Sequence, residues 1–228
     1  MKIFYLGLVL IFSSFLSGLG QDDHLSLIYD FEGSDFDYTV KAIVGTNDSL
    51  YVICETPNSQ GLFFRIDENG NGYKVIWEFD NINKAPCSLI ANDTVIYGTT
   101  RFSQNGGGAI FKYCLKDYTF QFICDLKPLD VQDVMVKYIT DSILWLSSQY
   151  SFVDEGSIFT IKKDGTGLKK IFNDTNNENG QNPVDFVFNN DSIYIACYNG
   201  GGTPYPDGTG SYVSSGSFIR IKNDGTGY

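Results

Sequence analysis

The sequence predicts an all-β fold: a β-propeller of four-stranded antiparallel blades, with four repeats present. Three observations predict it. Two phrases recur in step along the chain. Each recurrence takes 45 to 50 residues, room for four short strands and their turns. The composition also leans toward strands, with 15 Tyr and 18 Phe in 228 residues and no long amphipathic run.

The first twenty residues stand apart from the repeats. Lys2 gives a positive start, an apolar run extends from Ile3 to Leu16, and Gly18 and Gly20 are small residues one position apart. That pattern is a signal peptide over residues 1–20, cleaved before Gln21. The apolar run is short for a bilayer span, and no cysteine lies near the cleavage point to take a lipid. The expectation is a mature chain without membrane insertion, outside the cytoplasm: secreted, on the cell surface or in the periplasm. Cleavage moves the formal net charge from −11 to about −12. Such acidity excludes nucleic acid, whose affinity rests on Lys and Arg neutralising phosphates, and adsorption to anionic lipid.

The repeats follow. Asn47 begins NDSLYVICE, Asn92 begins NDTVIYGTT, Thr140 begins TDSILWLSS and Asn190 begins NDSIYIACY. Their aspartates, Asp48, Asp93, Asp141 and Asp191, are spaced by 45, 48 and 50 residues. A second phrase trails each: GLFFRIDENGNGY from Gly61, GAIFKYCLKDYTF from Gly108, GSIFTIKKDGTGL from Gly156 and GSFIRIKNDGTGY from Gly216. Each unit reads as an apolar first strand, such as that at Lys41 or Asp185, then a tight turn in which Asp and Ser bond nearby amides. The second strand, a loop of varying length, and a glycine-initiated third strand come next. A DGTG-type turn, in which glycine permits positive φ, leads to fourth strands such as KVIWEF, QFICDL and KKIFND. The units fall at about 32–79, 80–126, 127–173 and 174–228.

These phrases resemble a known family. IYGTT, the run Gly106-Gly107-Gly108, AIFK, and the later DGTGL and DGTGY are similar to the secreted bacterial propeller repeat of the Gloeobacter–Verrucomicrobia type, with its LYGTT, GTIFKI and DGTG pattern. The resemblance covers residues 25–228. Repeats one, three and four lack YGTT, and repeat two has Lys116-Asp117-Tyr118-Thr119 where DGTG stands. The family implies a propeller fold and no shared catalytic residues. DGTGLKKI bears a weaker resemblance to TolB-like propellers.

Ring closure has two readings. Residues 25–31, LSLIYDF, match a fourth strand and can serve as an outer closing strand beside Phe218–Lys222, giving a closed four-bladed ring. Alternatively the array is a fragment of a larger propeller, which the stop at Tyr228 just past a third strand favours.

The search for chemistry yields no catalytic residue. His24, the single histidine, lies near the mature N-terminus, away from any Ser-His-Asp arrangement. The glycine-rich Gly200–Gly210 segment lacks the Lys-Ser/Thr of a phosphate loop. Cys54, Cys87, Cys114, Cys124 and Cys197 are odd in number, form no CxxC pair for zinc, and read as small buried hydrophobes; Cys114 is expected opposite a residue near Gln121. Loop carboxylates at Asp35 and Asp37, Asp130 and Asp133, and Asp154 and Glu155 keep two alternatives open: a glycosidase-like hydrolase and a calcium site, the latter without DxDxDG spacing.

Topology is more informative. Turns between first and second strands and between third and fourth strands share one end of the blades, and here they are short and uniform. The other end carries loops of varied length with aromatics: Tyr38, Phe102, Tyr150, Tyr198, Tyr205 and Tyr212. Varied loops on a rigid scaffold are where recognition concentrates, and Tyr and Phe stack well on sugars or peptides. The expected function is a non-catalytic extracellular binding or scaffold module, with a glycan or protein as partner. At the uniform end, the Asp-Ser/Thr-aliphatic turns make Ser49, Thr94, Ser142 and Ser192 candidates for O-glycosylation.

Overall fold

The computed structural model describes residues 6–7, 30–31, 38–58, 60–127, 131–151, 156–173, 181–199, 203–204, 212–213 and 216–226. Two short strands, β1 (Leu6–Gly7) and β2 (Asp30–Phe31), pair with one another. Sheet 1 then runs β3 (Thr39–Thr46), β4 (Ser49–Glu55), β5 (Gly61–Asp67) and β6 (Lys74–Phe79). Sheet 2 is β7 (Pro86–Ala91), β8 (Val95–Thr100), β9 (Ala109–Cys114) and β10 (Thr119–Asp125). Sheet 3 is β11 (Val131–Ile139), β12 (Ile143–Ser151), β13 (Ser157–Lys162) and β14 (Lys169–Asn173). Sheet 4 starts with β15 (Gln181–Asn189) and β16 (Ser192–Asn199). A small hairpin, β17 (Thr203–Pro204) with β18 (Tyr212–Val213), precedes its third strand, β19 (Ser217–Lys222). Every pairing is antiparallel, and strands pair in chain order within each sheet.

The chain is therefore all-β, with successive meander sheets stacked face to face as propeller blades are. Strand β7 packs against β3 on one side and β11 on the other. Where the outer closing strand was expected beside β19, the described residues give sheet 4 three strands, and β2 takes β1 as its partner. Leu6–Gly7 falls in the segment expected to be a signal peptide.

The four look-alike second strands occupy two different registers. In sheets 1 and 4 the turn from the first strand is a two-residue loop, with Thr46 opposite Ser49 and Asn189 opposite Ser192. Asn47 and Asp48 both take positive φ, 49° and 57°, as a two-residue hairpin of matching twist requires. In sheets 2 and 3 the loop is four residues, Asn92–Val95 and Thr140–Ile143, closed by Asn92 N–H to Val95 O at 3.0 Å and Thr140 N–H to Ile143 O at 2.9 Å. The side chain that caps these turns is the first of the triplet and not the Asp or Ser that the sequence suggested. Asn92 Oδ1 accepts the amides of Thr94 (3.0 Å) and Val95 (2.8 Å), and Thr140 Oγ1 accepts that of Ile143 (3.0 Å).

The loop difference slides the second strand by one residue against the third. Leu50 and Ile193 stand opposite Ile66 and Ile221, whereas Val95 and Ile143, at the same place in the phrase, stand opposite Cys114 and Lys162. A one-residue slip turns every side chain to the other face. The aromatic residue of the phrase compensates: it is fifth in sheets 1 and 4 (Tyr51, Tyr194) and sixth in sheets 2 and 3 (Tyr97, Trp145). In all four sheets it therefore shares a face with the third-strand residues Phe63, Phe218, Ile110 and Ile158.

That face meets the next sheet. Tyr51 and Phe63 pack on Phe111 and Tyr113 of sheet 2, with Phe63 and Tyr113 edge to face at 5.5 Å. Tyr97 and Ile110 pack on Leu144, Leu146, Phe159 and Ile161 of sheet 3. Trp145 and Ile158 pack on Phe186, Ile193, Ile195 and Ile221 of sheet 4. In sheet 4 the matching pair, Tyr194 and Phe218, stacks at 5.9 Å and Phe218 is 71% exposed. Sheets 2 and 3 are also tied by a buried polar chain, in which Ser88 Oγ meets Thr99 Oγ1 at 2.6 Å and accepts the Val136 amide at 2.9 Å. One expected pairing holds in sheet 2, where Cys114 faces a residue near Gln121 and not Cys124. Cys114 stands opposite Thr119, and Gln121 opposite Lys112, because the β9–β10 turn is the compact Leu115–Tyr118 with Tyr118 at φ 59°.

Candidate functional site

The loop between β4 and β5 is closed on itself by the Thr56 amide donating to Gln60 O at 2.9 Å. Gln60 Nε2 in turn donates to Asn81 Oδ1 at 3.1 Å, tying the loop to the segment after β6. The described residues of this loop, the residue before β3 and strand β6 meet at one end of sheet 1, around a cleft of about 330 Å³. Its lining divides by chemistry. Leu62, Val75 and Phe79 are apolar; Tyr38, Thr56, Asn58, Gln60 and Glu78 are polar. Thr56 Oγ1 is buried and has no hydrogen-bond partner, although buried hydroxyls are nearly always satisfied. Burial first, then the neighbouring Cys54 and Glu78, push the Tyr38 phenol above its ordinary pKa.

The same end of the molecule carries an ionic group along the inner strands. Lys41 Nζ lies 2.7 Å from Glu55, and the Arg101 side chain donates from Nε to Asp133 across sheets 2 and 3. Between these pairs sits Cys87, whose thiol is pushed up to about 12, chiefly by burial and then by Asp133. Both cations are matched by carboxylates; Lys41–Glu55 ties two strands of sheet 1, and Arg101–Asp133 ties sheet 2 to sheet 3. Asp133 takes positive φ, 52°, which helps to bring its carboxylate to Arg101.

The six aromatics expected to recognise a ligand divide as follows. Tyr38 lines the cleft. Phe102 is half-buried, with Lys84 Nζ 5.4 Å from its ring centroid and its carbonyl accepting the Thr100 hydroxyl at 2.9 Å; it covers the rim of sheet 2. Tyr198, 70% exposed, stands at the corresponding end of β16. Tyr150 and Tyr212 lie in β12 and β18, with side chains outside the described set, and Tyr205 is outside the described residues altogether. Of the loop carboxylates, Asp133 is held by Arg101, while Asp35, Asp37, Asp130, Asp154 and Glu155 are outside the described residues, as is His24. Among the described residues no group of three His, Cys, Asp or Glu could hold a metal. Ser49 and Ser192 are half-buried, Thr94 and Ser142 exposed, at the opposite end from the cleft.

Sequence reasoning missed Thr56, Asn58, Gln60 and Glu78. The signal was present: these residues occupy the second-to-third loop and the end of the fourth strand in repeat one, the positions that topology brings to the same end as Tyr38.

Strand order, sheet stacking and loop placement define a propeller-type β protein. No family model matches the chain, and no curated protein matches it. Among solved structures, it is similar to a chain of a nidogen/laminin complex, with a TM-score of 0.53 and 12% identity, covering 76% of this chain and 60% of that one. It is also similar to TolB from Agrobacterium tumefaciens, with a TM-score of 0.49 and 7% identity over 79% of this chain and 59% of that one. The chain thus spans about three fifths of the length of either relative.

Proposed function

We propose that this chain is an exported, non-catalytic binding or scaffold module of the propeller type, recognising a glycan or a protein through its loop end. One observation carries the reading: a cleft lined by both apolar and polar residues lies among the varied loops at one end of the stacked sheets, while the other end carries short, self-capped turns. Concave sites of this make-up are where ligands are usually held. The nidogen/laminin neighbour is itself part of a protein–protein complex, which suits a protein partner as well as a glycan. The hydrolase alternative is weakened by Asp133, whose carboxylate is engaged by Arg101 and so poorly placed to act as acid or base.

The test joins binding and turnover. The secreted chain is applied to arrays of immobilised glycans and extracellular proteins, and separately incubated with a panel of chromogenic glycosides. Retention of a glycan or protein without release of chromophore is the expected result. Steady chromophore release would replace the binding-module reading with an enzymatic one.

A further inference from the structure

We infer that the cleft at the loop end of sheet 1 is a saccharide subsite, suited to a neutral or amine-bearing sugar and closed to acidic ones. The inference rests on the binding-module reading and narrows it to one place and one ligand chemistry. Four features of the cleft lead there.

The first is its division into two kinds of surface. A pyranose presents apolar C–H faces and a rim of hydroxyls, each able to donate and accept. Leu62 and Val75 offer the apolar contact, and the Asn58 and Gln60 carboxamides, the Tyr38 phenol and the Glu78 carboxylate offer acceptors and donors. The second is scale, since about 330 Å³ lies at the low end of ligand-pocket sizes and admits one sugar ring with its substituents.

The third is Thr56. Its hydroxyl is buried at the cleft and unpaired, a state that leaves desolvation uncompensated in the free protein. The oxygen has essentially no accessible surface as it stands, so a sugar hydroxyl supplies the missing partner only when its entry shifts the side chains that cover Thr56. The fourth is charge. Among the described residues that line the cleft there is one charged side chain, Glu78, and the whole chain carries −11. A uronate or sulfated sugar would enter against that field, while a neutral sugar is indifferent to it and an amino sugar is favoured.

The experiment is calorimetric titration of the full secreted chain with soluble hexasaccharides of glucose, mannose, xylose, glucosamine and N-acetylglucosamine, and with polygalacturonate as the acidic probe. The variants are Thr56→Val, Asn58→Ala and Glu78→Gln, with Ser142→Ala at the opposite end as control. At least one neutral or amine-bearing oligosaccharide is expected to bind. Thr56→Val and Asn58→Ala should each weaken it about three- to tenfold, and Ser142→Ala should leave it unchanged. Glu78→Gln should weaken a glucosamine oligomer more than its N-acetylated counterpart. Thr56→Val should not lower the melting temperature, because it exchanges an unpaired buried hydroxyl for a methyl group of the same shape. That separates lost recognition from lost folding.

Binding that survives all three cleft variants would overturn the subsite while leaving a glycan-binding module intact elsewhere on the loop end. Equal or tighter binding of polygalacturonate would overturn the charge selectivity. Failure of every saccharide, together with capture of an extracellular protein on the array, would overturn the inference and leave the broader reading standing as a protein-binding module.

Discussion

Gly165 sits in the Asp164-Gly165-Thr166-Gly167 turn between β13 and β14 with φ at +87°, its amide donating to Lys162 O at 2.9 Å. A Cβ there would lie 2.0 Å from the Ile123 carbonyl oxygen of sheet 2, so this turn is also a contact between sheets. Gly72 has φ +66° with open space around it. Gly165→Val should cost about 1–3 kcal/mol from backbone strain alone, and more through the contact with Ile123. Gly72→Ala should cost only about 1 kcal/mol, the price of left-handed backbone; urea denaturation of both variants makes the comparison. Equal effects would mean that the turn of sheet 3 does not touch sheet 2. The aspartate of the same turn is equally specific. Asp164 Oδ1 accepts Thr166 Oγ1 at 2.7 Å and the Thr166 amide at 2.9 Å, and Asp224 does the same with Thr226. With Asp117, which Thr119 holds likewise, these carboxyls titrate below the usual Asp value. A depressed folded pKa contributes stability above the unfolded Asp pKa, and that contribution is lost as pH falls through the folded value. Carboxyl NMR titration should find these three among the last aspartates to protonate on acidification. The corresponding turn of repeat one is closed without threonine, with Asp67 Oδ1 accepting the amides of Asn69 and Asn71.

At the scale of elements, the strands and their order were legible because both phrases carry their own punctuation, a polar turn and an opening glycine. Gly61, Gly108 and Gly156 open third strands where an added Cβ would lie 2.2, 2.3 and 2.7 Å from the carbonyl oxygens of Cys54, Thr100 and Ser148. What hid was the register, because NDSLYVICE and NDTVIYGTT look alike until the aromatic is counted from the turn. The fifth or sixth place of Tyr51, Tyr97, Trp145 and Tyr194 was the readable sign of it. The cleft hid for another reason, since its polar residues come from two separate strand ends that only folding brings beside Tyr38. Stacking also gives equivalent positions unequal weight. Phe63 and Phe218 hold the same place in their phrases, yet Phe63 is fully buried against sheet 2 and Phe218 is 71% exposed. Phe63→Ala should cost about 3–5 kcal/mol, and Phe218→Ala should stay within about 0.5 kcal/mol of the parent. Chemical denaturation of the two variants reads both. A comparable loss at Phe218 would show that the outer face of sheet 4 is covered in solution.

Across the whole molecule, the five cysteines show how the stacked sheets bear on the compartment the chain is read to occupy. All five are free thiols, although an oxidising environment tends to join or modify them. Stacking supplies the protection. Cys54 and Cys197 sit at the same place in the phrases of sheets 1 and 4, in the two sheets with the two-residue turn, and both are buried. Cys87 lies between the Lys41–Glu55 and Arg101–Asp133 pairs. Burial pushes Cys54 up to about 11 and Cys87 to about 12, and a thiol reacts as its thiolate. At pH 8 both are therefore almost wholly protonated, and Cys54 is covered as well, while Cys87 is half-buried. Cys114 and Cys124 are half-buried, and burial raises the Cys124 thiol less far than those of Cys54 and Cys87. Brief iodoacetamide treatment of the native chain at pH 8, followed by peptide mass spectrometry, should leave Cys54, Cys87 and Cys197 unmodified and label Cys114 and Cys124 first. All five should label once urea has separated the sheets. Rapid native labelling of Cys87 would mean that the inner strands of sheets 1, 2 and 3 open readily, and the ionic group at the loop end would then be no tie at all.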